Sequence, residues 1–531
     1  MSVSVACPSR PRDRHTTYGR VVRRLLAAVV ITLAPTVVGA CTDDRGGEAD
    51  GAVASTTSAA VAPSDAGPGG DEWRTAGADL GNTRAAVGSA ITAATVDDLD
   101  TLWRAELPDA GALTTVPIVV DGIVYAQGGS GQVVAVGLDD GEVLWESEPT
   151  GVNIGPFGVA VDDERVYALD GAQGVAALSR ADGSALWTAD VTPTPTVGID
   201  IQPIVVDGVV LVSSVPISIG GIYAPGDRGM IYALDATSGA VLWTFDTVEG
   251  DLWGHPEVNS GGGAWYPPAV DRERGLVYVG VANPAPFPGT PEWPNGSSRP
   301  GDNLYTDSLV ALDLATGALR WFHQVTPHDL FDRDQVHALV AQDADGRDVV
   351  VSSGKSGVLV GLDPDDGTRL WRREVGEHLN DDLEVLDGPT KVAPGTYGGI
   401  LTPPSSADGV VYAAVVNAPV TLEPDETAYF GATLGEQDGE IVAVDATDGS
   451  VVWATAVPGD PLGGTTVVGD LVVTALVDGT LMALRRDDGE VVWTHDAGGG
   501  VNGWMAVAGD RLIVPVGMGD PPALLALGLD D

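Results

Sequence analysis

One phrase recurs seven times along this chain, and it leaves few folds open. It ends at Trp145 (VAVGLDDGEVLW), Trp187 (AALSRADGSALW), Trp243 (YALDATSGAVLW), Trp321 (VALDLATGALRW), Trp371 (VGLDPDDGTRLW), Trp453 (VAVDATDGSVVW) and Trp493 (MALRRDDGEVVW). Alternating Val, Ala and Leu give each copy the period of a half-buried strand. An Asp-Gly, Ser-Gly or Thr-Gly pair then supplies a tight turn. The closing Trp is large and flat, suited to stacking between neighbouring repeats. Trp145 to Trp187 is 42 residues and Trp453 to Trp493 is 40, the length of one four-stranded propeller blade. Longer spacings, such as Trp243 to Trp321, hold the same phrase plus inserted loops. Near the start of the body, Leu102-Trp103-Arg104-Ala105 offers one more strand, and Arg511 to Leu529 has strands without a closing Trp. Pairing the first of these with the last would close a ring and remove both sheet edges. The expected fold is all-β, an eight-bladed β-propeller occupying residues 71–531.

The remaining numbers fit that picture. The chain has 531 residues, 44% of them hydrophobic, which is too apolar for a disordered polymer. No internal apolar stretch is long enough to span a membrane. The net charge is −48, and no basic block lies beyond the first 40 residues, which argues against nucleic acid as a partner. The two cysteines are Cys7 and Cys41. The body therefore has no structural disulfide, no thiolate metal site and no C-x-x-C-H haem attachment.

The N-terminus reads as an address. Arg10, Arg12, Arg14, Arg20, Arg23 and Arg24 precede an apolar run from Leu25 to Val38, and Gly39-Ala40-Cys41 follows. Basic, apolar and small residues in that order describe a signal peptide over residues 1–40. A cysteine directly after the small residues is similar to a bacterial lipobox, which implies lipidation at Cys41; ordinary cleavage beside an incidental Cys41 is the alternative. Residues 41–70 are Gly, Ala, Ser, Thr, Pro and Asp with almost nothing large to bury, the composition of a flexible tether. The expectation is an exported protein, anchored by lipid to the outer face of the bacterial cell membrane and touching the membrane only through that anchor.

The repeat AxDxxTGxxxW resembles the tryptophan-docking motif of the pyrroloquinoline quinone (PQQ)-dependent, or quinoprotein, alcohol dehydrogenases. The segment TrpArgThrAlaGlyAlaAspLeuGlyAsnThrArg at 73–84 resembles the opening of the polyvinyl-alcohol dehydrogenase branch. Between Gly261 and Asp334 the order, spacing and types of residue are similar to the family's catalytic stretch. The resemblance implies that Trp265 is the floor under the quinone and that Asn283 coordinates a metal. It further implies that Asp332 is the catalytic base, that Lys355 lies beside a quinone oxygen, and that Asn417 makes another cofactor contact. Asp332-Arg333-Asp334 matches the Asp-x-Asp pattern that adds a carboxylate for a lanthanide, so Asp332 and Asp334 join Asn283 as candidate ligands of Ca²⁺ or a lanthanide. A solvated acidic turn is the bland reading of the same residues.

The chemistry needs these types. A hard cation takes oxygen ligands and polarises a carbonyl. A carboxylate within reach of a hydroxyl can remove its proton, and a fixed ammonium stabilises a developing oxyanion. The chain has two lysines, Lys355 and Lys391, against 25 arginines, and one of the two falls in this motif. Three departures stand against the pattern. Ala224 occupies the place of the family's metal-bridging glutamate, with Asp227 the one nearby carboxylate. The adjacent-cysteine ring is absent, and Leu462 stands where methanol-oxidising members carry Trp. His323 and His328 flank the stretch without metal-ligand spacing and read as polar loop residues. The leading expectation is a PQQ- and metal-dependent dehydrogenase without haem. It would oxidise a small or polymeric alcohol and pass electrons to a separate acceptor. The alternative is a non-catalytic scaffolding propeller similar to the outer-membrane assembly factor BamB.

Overall fold

The repeated phrase folds into a strand, a turn and a second strand, and the turn explains its composition. In the third copy, the Asp235 carboxylate accepts hydrogen bonds from the Thr237 and Ser238 amides at 3.1 and 2.8 Å. The Gly239 amide closes the turn on the Asp235 carbonyl at 2.8 Å. The next strand, Val241–Asp246, then pairs back on Met230–Asp235. The inner strands of each sheet are apolar on both faces and need a neighbour on either side: Tyr232 and Leu234 pack one way, Ile231 and Ala233 the other.

The closing Trp supplies part of that cover. The Trp243 indole N–H donates to the Leu314 carbonyl of the following sheet at 3.0 Å. Trp145, Trp187, Trp321, Trp371 and Trp453 repeat the bond to Arg180, Ala236, Pro364, Ala446 and Arg486. The ring lies flat on the turn glycine of that same neighbour. A Cβ built on Gly317 would fall 2.4 Å from the Trp243 ring. The glycine thus serves both the positive φ of the turn, +69° at Gly317, and the indole above it.

This computed structural model describes residues 70–151, 155–192, 194–216, 218–219, 222–427 and 435–529. The expected signal peptide, the lipidation site Cys41 and the tether through residue 69 lie outside the described residues. Eight four-stranded antiparallel blades follow in chain order. Blades 1 to 7 occupy 118–146, 160–190, 204–246, 269–324, 337–374, 405–457 and 466–496. Blade 8 consists of Ala506–Ala508, Arg511–Val516 and Ala523–Leu529, with Leu99–Glu106 as its outermost strand. Leu99 pairs with Leu529 and Glu106 with Ala523, so the early strand seals the ring as expected. Trp103, on that strand, docks on Leu138 of blade 1 at 2.8 Å and takes the place of the missing eighth Trp.

The segment 73–86 runs around the axis. Leu80 and Gly81 carbonyls accept from Val270 of blade 4 and Val340 of blade 5, each at 2.7 Å. Thr83 and Arg84 carbonyls accept from Ser406 of blade 6 and Val467 of blade 7, at 2.8 and 2.9 Å. Arg84 is fully buried between Trp73 and Trp504, its guanidinium bonded to the Thr465 and Ala76 carbonyls and the Thr466 hydroxyl. Burial with no counter-charge pushes it down to about 9. Four neighbouring residues of one segment therefore cross-link four blades at the centre of the ring.

Candidate active site

Blades 4 and 5 carry the candidate residues, on loops that enter and leave their inner strands. Trp265 and Tyr266 precede the strand Ala269–Asp271, and Asn283 follows Leu276–Val281. Asp332 and Asp334 precede His337–Gln342, and Lys355 follows Asp348–Ser353. The Lys355 ammonium lies 2.9 Å from Asp332 Oδ2 and 2.6 Å from Asp334 Oδ2. The first contact is a hydrogen bond; the second is an ion pair by distance that lacks hydrogen-bond alignment. The same ammonium sits 5.0 Å from the centre of the Trp265 ring. Asp334 Oδ1 accepts from the Asn283 backbone N–H at 2.8 Å. Five of the six residues expected from the sequence thus meet at one place.

Asp329, which the sequence reading passed over, shapes that loop. Its carboxylate accepts from the Phe331 and Arg333 amides, both at 2.7 Å. Leu330 and Phe331 are buried with Leu386, Val392 and Leu422. The turn gives Asp332 and Asp334 φ values of +66° and +34°. The two carboxylates converge on Lys355 through this left-handed turn, not through an extended segment.

Burial pushes the Asp332 carboxyl well above the ordinary carboxylate range; Lys355 pulls it back and Asp334 raises it again. Asp332 Oδ1 is buried without a partner, as is the Trp265 indole N–H. Asp307 is a further buried carboxyl, neither oxygen partnered, pushed up by burial and by Asp329 and Asp334. Tyr266 packs 4.4 Å from His337 and 5.5 Å from Trp504, and its hydroxyl donates to the Leu401 carbonyl. His337 is buried; that burial holds it neutral, with a pKa of about 3.

The other expected positions fall as follows. Asn417 ends the strand Val410–Asn417, and its side-chain carbonyl accepts from the Glu377 amide at 2.9 Å. Ala224 lies before a turn and offers no side-chain ligand. Asp227 is buried beside Gly261, with Oδ2 unpartnered. Leu462 packs with Val416, Ala418 and Val477. His323 is on the strand Leu319–Gln324 and not in a loop, and His328 contacts the Asn295 carbonyl at 3.3 Å.

Known proteins resemble this chain at the level of family and fold. The glucose/ethanol/alcohol dehydrogenase β-propeller domain matches residues 73–156 and 157–378, more than half of the sequence. The chain belongs to this dehydrogenase β-propeller family. A shorter stretch, 437–519, matches the outer membrane protein assembly factor BamB. The quinohemoprotein alcohol dehydrogenase of Comamonas testosteroni is 27% identical over 399 residues, 67% of this chain and 56% of that one. The polyvinylalcohol dehydrogenase of Sphingopyxis sp. (strain 113P3) is 29% identical over 222 residues, 35% and 29% respectively. The chain spans about half or less of the length of these curated relatives. The crystal structure of the Comamonas testosteroni enzyme superposes with a TM-score of 0.75 over 86% of this chain and 80% of that one, at 24% identity, a likeness of fold.

Members of the dehydrogenase propeller family imply PQQ, a flat ring system bearing carboxylates. The residues here fit it: an indole floor at Trp265, an ammonium at Lys355 and buried polar atoms without partners at the same rim. They do not fit a resident Ca²⁺ or lanthanide ion. The Lys355 ammonium already lies within 3 Å of both candidate carboxylates, and Ala224 supplies nothing. Among the described residues no group of three or more His, Cys, Asp or Glu side chains gathers to hold a metal. The Asn283 backbone N–H holds Asp334, which pairs with Lys355, while the Asn283 side chain donates to the Pro284 carbonyl.

Proposed function

We propose that this chain is a PQQ-dependent dehydrogenase that oxidises an alcohol at the outer face of the cell membrane and passes electrons to a separate acceptor. The observation that carries the reading is the meeting of Trp265, Lys355 and Asp332 at one axial rim, in a member of this family. These residues would hold PQQ, which would supply an electrophilic carbonyl for alcohol oxidation. Asp332 holds Lys355 through Oδ2 and keeps Oδ1 free to take the proton of a substrate hydroxyl. Lys355 would offer its ammonium to a quinone oxygen and stabilise negative charge there. Trp265 excludes water from one face. Asn417, its side-chain carbonyl engaged by the Glu377 amide, would have its NH₂ left for a polar contact. No cation is part of this proposal.

The substrate is an alcohol, small or polymeric; similarity to a polyvinylalcohol dehydrogenase supports including polymers. Purified chain supplied with PQQ is expected to reduce a redox dye when given alcohols, polyvinyl alcohol among them. PQQ binding without dye reduction across a broad panel contradicts the dehydrogenase reading. Absence of PQQ binding leaves the scaffolding propeller, which the BamB-like stretch at 437–519 and the missing glutamate favour. For the anchor, Cys41→Ser is expected to move the protein from the membrane to the soluble fraction. Unchanged fractionation counts against lipidation.

A further inference from the structure

Propeller symmetry puts residues at equal distances ahead of the inner strands on one rim. Trp265 stands four positions before Ala269 of blade 4, and Asp200 stands four before Ile204 of blade 3. Asp200 is therefore the counterpart of Trp265, one blade round. It is 7% exposed, and its Oδ1 has no hydrogen-bond partner. A Cβ at Gly155 would fall 2.2 Å from both carboxyl oxygens, so the carboxyl has room only because residue 155 is glycine. The Tyr266 hydroxyl feels the charges of Asp200, Lys355 and Asp334 together. Asp200 thus lies on the rim that carries Trp265, one blade before it, and shares with Lys355 and Asp334 an influence on Tyr266.

Among the described residues, the groups around Asp200 offer it no counter-charge. From the approach to blade 2 come Gly155 and Phe157, the latter packed with Ile199 and Ile201. From blade 1 comes Thr114, whose hydroxyl donates to the Gly155 carbonyl at 2.8 Å. From blade 4 comes Tyr266, the one titratable group among these, with its hydroxyl committed to Leu401. Burial alone acts on the carboxyl and pushes it well above the ordinary range. A buried carboxyl without a cation is held neutral instead of ionised. A neutral acid is a donor, and what it lacks is an anionic acceptor.

We propose that Asp200 meets a carboxylate of the bound quinone as a carboxylic acid and donates its proton in a hydrogen bond, anchoring the ring system against Trp265. This rests on the PQQ reading above. An ionised Asp200 would repel the same carboxylate. Affinity should therefore fall by about tenfold for each pH unit above the point where Asp200 ionises.

The test is calorimetric titration of the full chain with PQQ alone, from mildly acidic to alkaline pH, for wild type and Asp200→Asn. Asparagine keeps a donor and the shape but does not titrate. The wild-type affinity is expected to fall with pH and the Asp200→Asn affinity to stay level. Asp200→Ser, a smaller donor that also cannot ionise, serves if the asparagine variant fails to fold. Binding with the same pH slope in wild type and variant overturns the proposal and leaves the PQQ reading intact. No binding by any of them at any pH overturns the PQQ reading and this proposal together.

Discussion

At the residue scale, the Lys355–Asp332 contact sets the expected chemistry. Asp332→Asn removes the base but keeps the side chain's shape. It is expected to cut PQQ-supported turnover by about 10²–10⁴-fold, the usual contribution of a general base, while changing PQQ affinity little. Near-normal turnover in steady-state assays would show that another group takes the proton. Because burial raises Asp332, the acid limb of kcat/KM should also lie above the ordinary carboxylate range. His337 sets a separate test. Its folded pKa is about 3 against ~6.5 unfolded. Below the unfolded value the unfolded chain binds a proton that the folded chain refuses. Stability is then lost as pH falls from ~6.5 toward ~3, by about 1.4 kcal/mol per unit. His337→Gln is expected to flatten the thermal midpoint over that window relative to wild type; parallel curves would contradict it. Trp265, Asn283, Asp332, Asp334 and Lys355 were legible beforehand because motif order carried them. Asp200, Asp307 and Asp329 were not. The chain has 75 acidic residues, and nothing local separates a buried aspartate from a solvated one. Position relative to each inner strand was the available signal, and it becomes usable once strand starts are fixed.

At the scale of elements, the seven-fold phrase specified blades, turns and the closure by Leu99–Glu106, because its period and its glycines act locally. Two features needed three dimensions. The turn glycine serves the indole of the preceding blade as well as its own turn, and the segment 73–86 ties blades 4 to 7 at the axis. The first yields a test. Gly317 and Gly346 both have positive φ, +69° and +77°. A Cβ at Gly317 meets Trp243, whereas one at Gly346 meets nothing within 4 Å. Gly346→Ala is expected to show backbone strain alone, about 1–2 kcal/mol. Gly317→Ala should add overpacking of about 1–3 kcal/mol. Thermal melts of the two variants read the difference. Equal losses would mean that the indole does not depend on the glycine beneath it.

At the scale of the whole molecule, a closed ring of blades, each with only short edge strands, holds its candidate functional groups on loops at the inner strands. A strongly acidic chain places an ammonium at the centre of that rim, 5.0 Å from an indole face and between two carboxylates. The indole face suits a flat ring system, and the ring system expected on it is PQQ. The most direct measurement is equilibrium binding of PQQ to the purified chain, followed by absorbance, with Trp265→Ala alongside. One PQQ per chain is expected, with at least a tenfold loss of affinity in Trp265→Ala, of the order expected for losing an aromatic stacking partner. No saturable binding by the wild type, or equal binding by Trp265→Ala, would contradict it.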